Sequence, residues 1–115
     1  MIIVRMERLE DGTIHGFSSR GHAGYADSGE DIVCAAVSAI TVGTVNSIEV
    51  LAGIEMKARM KDGFLSAYLP ELPENAAQDK IQLLLESMQV MLESIEESYG
   101  QYIQIKQVTI TEKRR

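Results

Sequence analysis

One cysteine, Cys34, is all the chain has, so no disulfide forms within it. Such thiol usage makes a reducing cytoplasm the expected compartment. Only two prolines occur, Pro70 and Pro73, and they sit close together, where they break the sheet and open a loop. No apolar run reads as long enough to span a bilayer, so no membrane partner is expected. The first residues, Met1-Ile2-Ile3-Val4-Arg5-Met6-Glu7-Arg8, alternate and carry charge early, unlike a signal peptide. Repeats, low-complexity tracts and linkers are absent. Metal ligands are scarce: one cysteine and two histidines do not complete a zinc set. The stretch Asp27-Ser28-Gly29-Glu30-Asp31 lacks the acidic spacing and terminal glutamate of a calcium loop. No metal or cofactor is therefore expected. A net charge of −6 opposes nonspecific, direct nucleic-acid binding and suits a basic partner or substrate. The terminal Lys113-Arg114-Arg115 is too short a cluster to alter that and reads as a solvated end.

What is present fits one domain over residues 1–115, with an apolar fraction of 45% and a charged fraction of 24%. Residues 2–9 alternate as a strand, Asp11-Gly12 signals a hairpin, and residues 13–20 read as its return strand. Gly21–Glu30 is polar, glycine-bearing and without period, hence a loop. Asp31 is a natural N-cap for a helix running to about Leu51, with Gly53 as its stop. That helix is apolar nearly all round, which predicts burial on more than one side. Met56, Ala58 and Met60 alternate with Lys57, Arg59 and Lys61. After the Asp62-Gly63 turn, Leu65, Ala67 and Leu69 continue an inward face. A second helix spans about Ala76 to Tyr99, with Ile81, Leu84, Leu85, Met88, Met91, Leu92 and Ile95 as its apolar stripe and Gly100 as its cap. Residues 102–111 form the last strand, where a phase change between Ile103/Ile105 and Val108/Ile110 suggests a bulge. The order ββαββαβ, with two hairpins, predicts an α+β fold: a mainly antiparallel mixed sheet of about five strands with two helices.

The chemistry concentrates between Gly21 and Ser38. Cys34 falls in the first turn of the helix, where unpaired N–H groups and the helix dipole favour an anion. Those same donors are candidates for receiving an oxyanion. His22 stands just before the loop, and histidine is the side chain whose unperturbed pKa lies near neutrality, which suits the role of general base and acid. Ser38 shares a helix face with Cys34 and is placed to bind substrate backbone or to permit close packing. Asp31 either orients His22 or only caps the helix. Gly24 and Gly29 let the loop hinge, or serve its turns. His15 has no partner nearby in sequence and reads as structural or surface.

The run Gly21-His22-Ala23, then the loop, then Asp31-Ile32-Val33-Cys34-Ala35-Ala36-Val37-Ser38-Ala39 resembles the signature of the Prp family, the ribosomal-processing cysteine proteases. The likeness extends over the whole chain in length and element order, with Ser94-Ile95-Glu96-Glu97-Ser98-Tyr99 as a supporting stretch. The resemblance implies a homodimeric, cytoplasmic bacterial endopeptidase. Its implied substrate is the N-terminal extension of large-subunit ribosomal protein twenty-seven. It also implies Cys34 as nucleophile and His22 as its partner, with Asp31 and Ser38 near the site. Two other readings remain open to the residues alone. One is a noncatalytic ribosome-assembly or protein-binding module with a structural cysteine. The other is a thiol redox protein, which the lack of a second cysteine for pairing disfavours.

Overall fold

The structure, a computed structural model, describes residues 1–111; the basic run Lys113-Arg114-Arg115 lies outside the described residues. The elements follow the order β1 (Ile2–Arg8), β2 (Ile14–Arg20), α1 (Ile32–Ala52), β3 (Lys57–Lys61), β4 (Phe64–Tyr68), α2 (Gln78–Tyr99) and β5 (Ile103–Thr109). This is the α+β order expected from the sequence. The sheet runs β3-β4-β2-β1-β5. β1 pairs antiparallel with β2, β2 with β4, and β3 with β4, while β5 lies parallel to β1.

Period-two burial sets the layers. Ile2, Val4 and Met6 of β1, Phe17 of β2, Leu65 and Ala67 of β4 and Ile103 of β5 share the inner face. They form one core with Val33, Val37 and Ile48 of α1 and Ile81, Leu85, Met88 and Leu92 of α2. Both helices thus cover the same side of the sheet. Polar side chains of α2 complete the seam. The Gln82 carboxamide bonds both the N–H and the carbonyl of Ile14, at 2.8 Å each. Glu96 accepts from the Ile105 N–H at 2.8 Å. Arg8 grips Glu86 with two nitrogens at 2.7 Å and adds Gln89 at 2.8 Å. Glu86 is about half exposed, so this pair orients α2 on β1 more than it stabilises the fold.

Several expectations need correction. α1 is buried along one stripe only: Val33, Val37, Thr41, Thr44 and Ile48. Ile32, Val50 and Leu51 are exposed because the second layer ends at the sheet and at α2. By length and composition α1, with 21 residues, is also long and apolar enough to cross a membrane, contrary to the sequence reading. Here its apolar stripe packs into the core instead. In β3, Ala58 and Met60 are exposed, although Met56 is buried. β3 is the edge strand, and Met60 looks into an open cleft rather than onto a helix. Met91 is exposed rather than core. Gly100 is the C-cap of α2 as expected, with a right-handed backbone.

The bulge lies elsewhere too. β5 pairs with β1 in unbroken register through Thr109, and Val108 simply faces the outer side beside Glu7. The register shift falls between Glu7 and Arg8, where His15 is the extra residue on β2. His15 is buried, with its ring 5.9 Å from that of Tyr68, so it does have a partner. Leu85 is fully buried at the helix–sheet contact. Leu85→Ala is expected to cost about 2–5 kcal/mol in denaturant unfolding. A loss below about 1 kcal/mol would contradict this placement of the core.

Candidate active site

Asp31 begins the site. It adopts an extended backbone at the N-cap of α1. One carboxylate oxygen accepts the N–H groups of Val33 and Cys34, both at 3.0 Å. The other oxygen accepts Tyr25 N–H at 3.0 Å and Ala26 N–H at 3.3 Å. One side chain therefore joins the loop to the helix start. The Cys34 N–H does most to hold this carboxyl below its ordinary value. Ala26, Tyr25 and Val33 add to that effect, while burial opposes it. Neither oxygen is directed to His22, so capping and loop anchoring are the roles Asp31 performs.

This alters the expected oxyanion donors. The Val33 and Cys34 N–H groups are engaged by Asp31, and the Ala35 N–H bonds the Asp31 carbonyl at 3.0 Å. The donor that reaches the sulfur comes from the loop instead: Ala23 N–H lies 3.3 Å from Cys34 Sγ. An N–H aimed at sulfur complements negative charge there. Cys34 is half-buried and free of any disulfide.

His22 is exposed and lines the same cleft as Cys34. Among the described residues its imidazole makes no hydrogen bond to the thiol. The ring lies over Gly63 of the β3–β4 turn, where a Cβ would come within 2.7 Å of Nε2. The Gly21 N–H bonds the Gly63 carbonyl at 2.8 Å and ties the two turns together. Gly63 was legible only as a hairpin residue. Its second role, leaving room for the imidazole, depends on a contact about forty residues away in sequence. Ala23 was missed because backbone donors leave no mark on side-chain pattern.

The cleft has a volume of about 620 Å³ and runs between the loop, α1 and the β3–β4 turn. Ser38 lies in its wall one turn beyond Cys34 and is exposed. Gly24 and Gly29 also line it, both with left-handed backbone that favours glycine. The loop is held at a second point by Tyr25. Its ring meets Tyr99 and Tyr102 edge-on at 5.7 and 5.2 Å. Among the described residues no cluster of three or more His, Cys, Asp or Glu is suited to hold a metal ion.

A lone thiol with an N–H donor at its sulfur, in a cleft that an imidazole also lines, has the chemistry of a cysteine hydrolase. A family model described as cysteine protease Prp matches residues 1–104. The chain is 38% identical over 107 residues to the ribosomal processing cysteine protease Prp of Bacillus subtilis (strain 168), covering 91% of this chain and 96% of that protein. It is 32% identical over 105 residues to the same-named protein of Staphylococcus aureus (strain Mu50), covering 91% and 97% respectively. A crystal structure of the S. aureus protease with a covalently linked product peptide superposes with a TM-score of 0.83 at 30% identity, covering 93% of this chain and 99% of that one. The same protease with a substrate peptide gives 0.80, also at 30% identity and the same coverage. The chain belongs to the Prp family of cysteine proteases and is a cysteine-type endopeptidase.

The lowered Asp31 pKa carries a pH dependence. An Asp held more acidic when folded stabilises the protein above its unfolded pKa. That contribution is lost as pH falls through the folded pKa. Asp31→Ala should therefore lower the melting temperature at neutral pH, and its gap from wild type should close on acidification. A gap that stays constant from neutral pH to below the carboxylate range would refute the assignment.

Proposed function

We propose that this protease removes the N-terminal extension of large-subunit ribosomal protein twenty-seven, with Cys34 as nucleophile and His22 as general base and acid. The observation that carries the reading is Cys34 Sγ, half-buried in the cleft and met by the Ala23 N–H, with His22 lining the same cleft. His22 takes the thiol proton once its imidazole comes within hydrogen-bond reach of the sulfur. The sulfur attacks the scissile carbonyl, a C–S bond forms, and the peptide C–N bond breaks as His22 protonates the leaving amine. Water then attacks the thioester, releasing the new carboxylate and regenerating the thiol. Asp31 is a positioning residue: it holds the loop and the helix start in one arrangement. Ser38 and the backbone at Gly24 and Gly29 are placed to bind the substrate chain along the cleft. The relatives named for ribosomal processing support the substrate class. The net charge of −6 suits a basic ribosomal segment.

A homodimer working in the cytoplasm fits the same reading. Ile32 and Val50 lie five turns apart on one face of α1, and Leu83 and Val90 two turns apart on α2, all more than half exposed. A second copy covering these side chains would remove them from water.

Purified protein mixed with a peptide spanning the extension, followed by mass spectrometry, tests the proposal. Wild type should cut once, at the extension boundary. Cys34→Ala should abolish cleavage, and His22→Ala should slow it by about 10²–10⁴-fold, in variants that unfold at normal denaturant concentrations. Cleavage by Cys34→Ala at the wild-type rate would remove the nucleophile assignment.

A further inference from the structure

The outer face of the sheet, opposite the helices, carries a charge pattern that the net charge conceals. Register places its residues in rows across all five strands. The middle row reads Lys106, Arg5, Ser18, Ser66, Arg59 from β5 to β3. The next row adds Arg20 and Lys61, beside Phe64. The row on the other side adds Lys57, beside Tyr68. Six of the eleven Lys and Arg residues of the chain thus project from one face, and all six are exposed. The single acid among these rows, Glu7, is buried and accepts a hydrogen bond from the Tyr68 hydroxyl. Among the described residues the one salt bridge, Arg8 to Glu86, involves none of the six. The acids gather elsewhere: α2 carries Asp79, Glu86, Glu93, Glu96 and Glu97 against a single Lys80.

We propose that this face is a docking surface for the phosphodiester backbone of RNA. Five strands at about 4.8 Å spacing make a platform roughly 19 Å across. Its central strands carry Ser18 and Ser66 together with Ile3, Phe64 and Tyr68, the Tyr68 ring lying over Gly16, and cations flank them on β1, β3 and β5. Lys and Arg side chains and hydroxyls are the groups that contact phosphates. A protein partner fits less well: protein interfaces are depleted in lysine, whereas this face holds Lys57, Lys61 and Lys106, all exposed. Net charge argues against nucleic acid only when charge is spread evenly, and here it is segregated. Lys61 lies both in this face and in the wall of the catalytic cleft, so RNA held here would lie alongside the bound peptide.

The test is fluorescence anisotropy of a labelled oligouridine across a salt series, with the triple variant Arg5→Glu, Arg59→Glu, Lys106→Glu taken from the middle row. Wild type should bind, with log Kd rising with log salt at a slope of about 0.7 per phosphate contact. The triple variant should bind at least about tenfold more weakly with a shallower slope, while Lys80→Glu on α2 binds as wild type. The corresponding triple glutamine variant gives the same readout with less perturbation should the charge reversal fail to fold. Peptide cleavage without RNA should be unchanged in the triple variant, which separates this surface from the catalytic proposal. No wild-type binding at low salt, or equal binding by wild type and both triple variants, would overturn the proposal. So would tighter binding of a polyglutamate peptide than of RNA, which would assign the face to an acidic protein.

Discussion

The Asp31 carboxylate accepts four backbone N–H groups, two from the loop and two from the first turn of α1. Everything distinctive about the site depends on this. The loop brings the Ala23 N–H to the sulfur, and the helix brings the sulfur to the cleft. Without this anchor the loop would keep the Tyr25 ring contacts and the Ala23 N–H to Cys34 Sγ contact, but no charge-assisted bond to the helix start. An ionised carboxylate suits the task because charge-assisted bonds to N–H groups are stronger than neutral ones. Serving as cap also engages the Val33 and Cys34 N–H groups, and the donor that reaches the sulfur comes from the loop.

Local chemistry was legible in the sequence. Asp31 and Gly53 bracket α1 as their side-chain and backbone properties require, and the ββαββαβ order follows from period and turn residues. Cys34 and His22 were both recognisable, and the structure brings them to one cleft. What the sequence hid depends on neighbours distant along the chain. Met60 alternates correctly as an inward residue, yet no helix reaches the edge strand to cover it. The phase change in β5 looked like a bulge because Val108 is apolar on an outer face. His15 looked solitary because the bulge that turns it toward Tyr68 lies in its own strand. The place of the His22 ring over Gly63 belongs to the same class of nonlocal contact.

The two faces of the molecule divide its work. The helical side buries the core and leaves Ile32, Val50, Leu83 and Val90 exposed. The sheet side presents six exposed cations around Phe64 and Tyr68. The cleft opens between them, where α1 starts and the β3–β4 turn ends. The cleft carries both Cys34 and His22.

Amide hydrogen exchange, resolved to single residues, tests the central claim most directly. If the Asp31 carboxylate is the shared anchor, the Tyr25, Ala26, Val33 and Cys34 amides should be protected in the folded protein, and Asp31→Ala should release all four together while the core of α2 stays protected. Tyr25 and Ala26 amides exchanging at unprotected rates in wild type, with Val33 and Cys34 protected, would contradict it.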